Sequence, residues 1–155
     1  MAVWILKTEP AECSLDDIRD ASGGVMRWDG IRNYQARNNL RAMRVGDICL
    51  VYHSSSREAG ITGSAEVVRE AYPDPAQFDP RSDYFDAAAS VDAPRWLAVD
   101  IRYRGRHARP VNASRLREEA GLEGLALLRQ GRLSVSPVRE EEWALLQHLL
   151  GEASP

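Results

Sequence analysis

Two short runs constrain this chain most: Val3-Trp4-Ile5-Leu6-Lys7 and Ile48-Cys49-Leu50-Val51-Tyr52-His53. Each is apolar at nearly every position, so a strand built from either has two apolar faces, because strand side chains alternate between faces. Such a strand needs cover on both sides, and the second run is expected at the centre of a sheet. Arg95–Tyr103 has the pattern of a half-buried strand instead. There Leu97, Val99, Ile101 and Tyr103 alternate with Trp96, Ala98, Asp100 and Arg102. A further strand is predicted from Ile61 to about Glu70, and a short one over Leu133–Val135.

Helical signals lie between these runs. Ser14-Leu15-Asp16-Asp17 reads as a helix start, with Ser14 as cap and the acids at the positive end of the helix. Tyr34–Met43 is predicted helical; at ~100° per residue, Ala36, Leu40 and Met43 share one face and Tyr34, Arg37, Asn38 and Arg41 the other. Ser114–Glu118 begins a helix that Gly121 and Gly124 interrupt and that resumes through Leu128. Glu140–Leu150 is amphipathic, with Trp143, Leu146 and Leu150 together. Residues 72–94 hold Pro73, Pro75 and Pro80, show no sustained period and read as a long loop. No internal repeat is visible. The expectation is one domain, 1–155, of α+β class, a mixed sheet or barrel with peripheral helices; a chain near this length buries roughly 68–70% of its unfolded surface without a staple.

Composition narrows the function classes. Twenty basic against 23 acidic residues give a net charge of −3, which excludes a strongly basic, histone-like protein. The distribution is more telling. Residues 27–46 carry a local +4, residues 101–117 a local +6, and residues 70–94 a local −5. The two basic segments would form a phosphate-binding footprint if brought together, or they pair with the acidic one. Nineteen of the basic residues are Arg and one, Lys7, is Lys. With the abundant Ala, this bias points to GC-rich coding and a bacterial source. Lys7 is then either a position that needs a compact ammonium rather than a planar fork or a chance survivor of that bias. Cys13 and Cys49 are too few for a disulfide framework or a four-Cys zinc site. No signal peptide is visible at the N-terminus, and no apolar stretch nears the ~18 residues of a membrane span. A cytoplasmic protein with reduced thiols and no membrane association is expected.

The chain lacks GxGxxG, a Walker loop, HExxH, paired CxxC and GxSxG, so no cofactor is implied. Asp74, Asp79, Asp83 and Asp86 lack the EF-hand spacing, and no metal is expected. In Tyr52-His53-Ser54-Ser55-Ser56, a His beside a Ser invites a hydrolase reading. Adjacent strand residues point to opposite faces, however, and no local acid is placed for a triad. The cluster is better suited to reading a ligand edge by hydrogen bonds, and no catalytic residue is assigned. Among the aromatics, Trp4 and Trp143 read as core. Trp28, between Arg27 and an Asp29-Gly30 turn, is easily presented at the rim of a pocket. Trp96 shares a strand face with Asp100 and Arg102, where it either covers a second small core or offers a stacking platform. Stacking one base contributes ~1–3 kcal/mol and flipping it from a duplex costs a few. One ring is thus insufficient for a flipped base, whereas two walls with edge hydrogen bonds suffice.

Several segments together resemble the EVE domain of the PUA-like superfamily. They are Trp4-Ile5-Leu6-Lys7-Thr8-Glu9-Pro10, Trp28 through Asn38, Tyr52-His53-Ser54, Gly60-Ile61-Thr62-Gly63, Pro94-Arg95-Trp96 through Asp100, and Arg132 through Pro137. They run in family order from near residue 3 to about 146, and the block from Trp28 to Asn38 is the most specific. The resemblance implies a PUA-like fold, a small twisted β-barrel with helices packed around it, similar to the YTH readers of methylated adenine in RNA. It also implies a pocket for a modified nucleobase: eukaryotic members are linked to methyl- and hydroxymethylcytosine in DNA, bacterial ones to modified DNA or RNA. By position, Trp28 and Trp96 would be aromatic walls. Lys7, Asn33, Tyr34, Asn38, His53 and Ser54 would line the pocket or hold the loop that shapes it. From the charge pattern rather than the resemblance, Arg32, Arg37, Arg41 and Arg102 are expected along the phosphates. The expectation is a non-catalytic reader of a modified base, a modified cytosine first, in DNA or RNA, with no obligate protein partner. An enzyme acting on a nucleotide or nucleic acid, and a small-molecule or nucleoside sensor, are the alternatives.

Overall fold

The computed structural model describes residues 1–55, 57 and 59–151. Its frame is a six-stranded sheet. The strands are β1 (Val3–Thr8), β2 (Val25–Trp28), β3 (Ile48–His53), β4 (Gly60–Pro73), β5 (Leu97–Val111) and β6 (Val135–Val138), in the order β2-β5-β4-β3-β1-β6. β1 and β3 run parallel, with Thr8 opposite His53, so both strands end at the same margin of the sheet. The other pairings are antiparallel.

The two doubly apolar runs behave as their pattern requires. From β1, Trp4 and Leu6 enter one core, while Val3 and Ile5 enter another across the sheet. From β3, Cys49 and Val51 divide from Ile48, Leu50 and Tyr52 in the same way. The first core is closed by α1 (Leu15–Asp20) and α2 (Tyr34–Ala42). The second is closed by α3 (Ala113–Glu118), α4 (Ala126–Arg129) and α5 (Glu140–Leu150). Ser14 caps α1 through a reciprocal capping box with Asp17. On α2, Ala36 and Leu40 are buried, as is Met43 at its end.

The class is α+β, but the hydrogen-bonded ladder does not close into a barrel: β2 and β6 are its two edges. Both edge strands still contribute to the first core, through Trp28 and Val135, so the sheet curls around it. α2 lies in the opening and packs on β4, β5 and β6. The Asn39 side-chain amide donates to Val135 O at 2.7 Å, which covers one exposed edge group with a helix. Segment boundaries also differ from expectation: β4 runs on to Pro73, and β5 starts at Leu97. β5 runs to Val111 because its basic second half pairs with the start of β4, out to Ile61 opposite Val111. Helix α3 is capped by Asn112 rather than begun at Ser114. The last strand starts at Val135, although Leu133 is already buried. Gly63 marks the tightest crossing, since a Cβ there would lie 2.3 Å from Gly105 O and 2.5 Å from Leu15 Cδ2.

The chain start is tied down by a buried carboxylate. Asp47 accepts hydrogen bonds from Ala2 N (2.9 Å), Trp4 Nε1 (3.0 Å) and Arg44 N (2.9 Å). Burial pushes this carboxyl up, but those three donors and the N-terminal charge outweigh it, so it titrates below the usual carboxylate range. Its stabilisation is therefore present above the unfolded pKa near ~3.9 and lost as the pH falls through the lower folded value. Asp47→Ala should lower unfolding free energy by about 3 kcal/mol, because the Trp4 indole N–H is left without its acceptor. Denaturant titration of this variant and of Asp47→Asn measures that loss, and both variants should lose stability less steeply below pH 4 than the parent does.

Candidate nucleobase-binding site

The parallel ends of β1 and β3 open a cavity of about 910 Å³ at that margin of the sheet. Ser54 N donates to Thr8 O at 2.9 Å, which locks the two strand ends together. Lys7 N donates to Ser134 O at 2.8 Å and Lys7 Nζ to Gly131 O at 2.6 Å, so the loop before β6 forms one wall. Met26, Arg27 and Trp28 from β2, Asp29-Gly30-Ile31, the Glu9–Cys13 turn and Tyr84 complete the lining. Trp28 is itself part of the first core and only 6% exposed, so it gives the cavity a small share of its surface.

The roof is positioned by one ion pair. Asp74, fully buried, accepts from Arg32 Nη1 (2.9 Å) and Gly30 N (3.0 Å) through Oδ2, and from Ala76 N (2.8 Å) through Oδ1. Arg32 in turn donates from Nε and Nη2 to Tyr84 O at 3.0 and 2.7 Å. The acidic 72–94 loop is thereby clamped to the Trp28–Asn33 segment, and Tyr84 is held over the cavity, with its hydroxyl 3.3 Å from Glu12 Oε1. Gly30 is needed beneath it: its φ is +75°, and a Cβ would meet the Tyr84 ring at 3.0 Å.

The field inside is acidic. Glu9, Glu12, Asp17 and Asp29 line the cavity against Lys7, Arg27 and Arg132. Burial and then the charges of Asp17, Asp29 and Glu12 push the Cys13 thiol up to about 11. Burial and the Asp74 charge also raise the Asp29 carboxyl, although Asp29 Oδ2 lies 3.3 Å from Arg27 Nε.

Of the residues singled out by sequence, the structure brings Lys7, Trp28 and Ser54 into this lining. Asn33 caps α2, with Oδ1 accepting from Ala36 N at 2.9 Å. His53 Nε2 accepts from Leu15 N at 3.1 Å at the start of α1, and burial lowers its pKa. Trp96 lies outside the lining, just before β5. Its indole N–H donates to Asp86 Oδ2 at 2.7 Å, and its ring is stacked on Tyr34 at 4.9 Å between centroids. The Arg37 guanidinium lies 4.8 Å from the Tyr34 ring centroid and donates to Arg95 O and Asn38 Oδ1. The platform that Trp96 could offer is thus occupied by the protein's own Tyr34. Asp74 and Asp86, read as loop acids, serve as internal acceptors. Arg32 pairs with Asp74, and Arg102 with Glu66 at 2.7 Å. Arg41 is exposed and has no ion pair among the described residues. Ser56 lies outside the described residues. Asp29, Glu12, Met26 and Tyr84 are lining residues that sequence reasoning missed; the only sequence signal was the Asp29-Gly30 turn beside Trp28.

A curled mixed sheet with a cavity at its parallel strand ends defines a PUA-like domain. The nearly full-length comparisons are specific. The EVE domain family model matches residues 2–149, and the chain belongs to that family. Thymocyte nuclear protein 1 of Homo sapiens is 33% identical over 157 residues, which cover 90% of this chain and 70% of the human protein. The Gallus gallus protein is equally similar, and the match spans 65% of its length. A crystal structure from Pseudomonas putida is 47% identical, with a TM-score of 0.90 over 96% of this chain and 99% of that one. The crystal structure of human THYN1 in complex with 5-methylcytosine-containing DNA has a TM-score of 0.93 at 31% identity, over 99% of this chain and 100% of that one.

The clamp separates two kinds of arginine. Arg32→Ala leaves Asp74 buried without its cation and should destabilise the fold by about 3 kcal/mol, whereas Arg41→Ala should change stability by less than ~0.5 kcal/mol. Thermal denaturation distinguishes them: the first variant should melt roughly 6–12 °C lower, the second with the parent.

Proposed function

We propose that this protein is a non-catalytic reader of modified cytosine in DNA that takes one unstacked base into the cavity at the ends of β1 and β3. The observation carrying this reading is the likeness, along 99% of the chain, to human THYN1 in complex with 5-methylcytosine-containing DNA. The chemistry of the cavity supports it. A cytosine ring presents a donor at its N4 amino group, which carboxylates accept; Asp29 and Glu12 are the acceptors on offer. Its O2 and N3 are acceptors, and Lys7, held by one bond to Gly131 O, retains further N–H groups for them. Met26, Trp28 and Ile31 supply the apolar surface against which ring and 5-methyl group pack. Ser54 borders the base. Asn33, Tyr34, Asn38, His53 and Trp96 act by holding the surrounding loops and helices.

The acidic field repels phosphate, so the backbone stays outside the cavity. Arg41 and Arg132, both exposed and without ion pairs among the described residues, are the phosphate contacts this reading favours; Arg37 adds its charge beside them. Catalysis finds little support in the same geometry. The Cys13 thiol is held protonated, and the His53 nitrogen facing α1 is already an acceptor for Leu15.

Fluorescence-anisotropy titration with oligonucleotides differing only in cytosine methylation tests the reading. At two salt concentrations, the methylated strand should bind about tenfold tighter, the worth of one well-packed methyl group. Lys7→Arg and Asp29→Asn should remove the preference. Arg41→Gln and Arg132→Gln should keep it while each lowers the salt slope by about 0.9. Equal binding of both strands, or a preference untouched in the Lys7 and Asp29 variants, would sink the reader. Turnover of the oligonucleotide would favour an enzyme, and salt-independent binding of free nucleoside a sensor.

A further inference from the structure

The basic segment 101–117 takes no part in the base cavity, and the fold divides its six arginines. Arg102 pairs with Glu66, Arg106 with Asp16 and Arg115 with Glu119. Arg104, Arg109 and Arg117 are exposed and have no ion pair among the described residues. Arg104 is the extra residue of a β-bulge, since Ala65 faces Tyr103 and Ser64 faces Gly105. It borders a second cavity, of about 680 Å³, on the other side of the sheet, with His107 in the same lining.

Arg109 is placed differently. Thr8 lies opposite His53, His53 opposite Gly60 and Ile61 opposite Val111, so the end of β5 falls on the same margin of the sheet as the base cavity. β4 takes two steps from Gly63 to Ile61, while β5 takes five from Arg106 to Val111. The surplus is extruded from the ladder, and Ala108, Arg109 and Pro110 are all exposed. Gly60 closes the corner: its φ is +144°, and a Cβ there would lie 2.6 Å from Val111 O and 2.9 Å from Asn112 N. The chain that leaves the cavity rim at Ser54 therefore returns directly against the end of β5. On the way it turns at Ser55, whose φ of +55° is uncommon outside glycine. It also carries Arg57, exposed and without an ion pair among the described residues. Asp16 and Asp17, at the start of α1 where Leu15 N meets His53, are already engaged, the first by Arg19 and Arg106 and the second by Ser14 N. Neighbouring strands lie ~4.8 Å apart, so the row from β1 to β5 spans ~14 Å, the axial rise of about four phosphates on one strand of B-DNA.

We infer that one flank of the bound DNA strand runs from the cavity along this margin to the end of β5, with Arg57 and Arg109 on its phosphates. The inference rests on the base-reading proposal, which fixes where that flank begins. Arg132 stands on the β6 side of the cavity, and Arg57 and Arg109 on the β4–β5 side. The two flanks therefore leave the base in opposite directions along the row. A guanidinium holds phosphate oxygens by charge-assisted hydrogen bonds without reading sequence. This surface accordingly adds affinity and sets which way the strand lies, and base choice stays with the cavity.

Anisotropy titrations with three single strands provide the test: methylcytosine flanked by about four nucleotides on both sides, on the 5′ side only, or on the 3′ side only, each with an unmethylated counterpart. Arg57→Gln and Arg109→Gln should each weaken the doubly flanked strand ~8-fold at 50 mM salt and ~3-fold at 200 mM, the loss of one phosphate contact at a single-strand slope of ~0.7. They should weaken one singly flanked strand equally and leave the other unchanged, and Arg132→Gln should show the reverse choice. Arg104→Gln removes the same charge from β5 at the second cavity and should alter none of the three comparably. All four variants should melt with the parent, since these side chains make no ion pair among the described residues. Methyl preference is scored apart from flank dependence. Equal binding of methylated and unmethylated strands by the parent would count against the reader, and the arginine effects on either strand would still decide the surface. Unchanged affinity in the Arg57 and Arg109 variants, a loss shared by both singly flanked strands, or an equal loss in Arg104→Gln would overturn the inference.

Discussion

The Arg32–Asp74 pair is the contact on which the margin at the ends of β1 and β3 depends. A fully buried carboxylate is tolerated only when its lone pairs are used, and here a guanidinium and two backbone amides use them. One of those amides belongs to Gly30, next to the cavity, and another to Ala76, in the long acidic loop. The guanidinium then carries the loop onward to Tyr84 O. Without this pair neither the turn after Trp28 nor the position of Tyr84 would be defined. The basic 27–46 segment and the acidic 70–94 segment therefore meet at this point as structure. In the proposed reading, phosphate contact falls to arginines whose guanidinium groups remain outside this clamp.

The doubly apolar strands explain why a cavity opens on each side of the sheet. β1 and β3 divide their side chains between two cores, and each core ends in an opening with its own chemistry. At the first, parallel strand ends gather four carboxylates around a single ammonium and two arginines. At the second, a bulge brings a guanidinium and an imidazole together with no acid among the described lining residues. A base donating from an amino group suits the first field. One sheet can therefore present opposite electrostatics at either side while the whole chain is close to neutral.

Much of this was legible in the sequence, for identifiable reasons. Apolar runs and periodicity located β1, β3, α2 and α5, because burial on both faces or on one helical face dictates those patterns. The start of the motif block, Trp28 to Ile31, lines the first cavity, and Lys7, which stood out by count alone, lies in the same lining. What was not legible depends on tertiary pairing. The sheet's open edges, the second half of β5 and the Arg104 bulge follow from partner strands and leave no local period. Trp96 was readable as an anomaly but not as a ring covered by Tyr34, since the covering residue lies 62 positions away. Asp74 looked like one of several loop acids, because nothing local shows that Arg32 will bury it.

The central claim is that the methyl-bearing base enters the cavity between Lys7, Asp29 and Met26. Its most direct measurement is the intermolecular nuclear Overhauser effect between a ¹³C-labelled 5-methyl group in an oligonucleotide and labelled methionine methyls of the protein. The account predicts a cross-peak from the cytosine methyl to Met26 and none to Met43, which is buried beneath α2. Saturated binding without a contact to Met26, and with the methyl group instead near Tyr34 or Trp143, would contradict it.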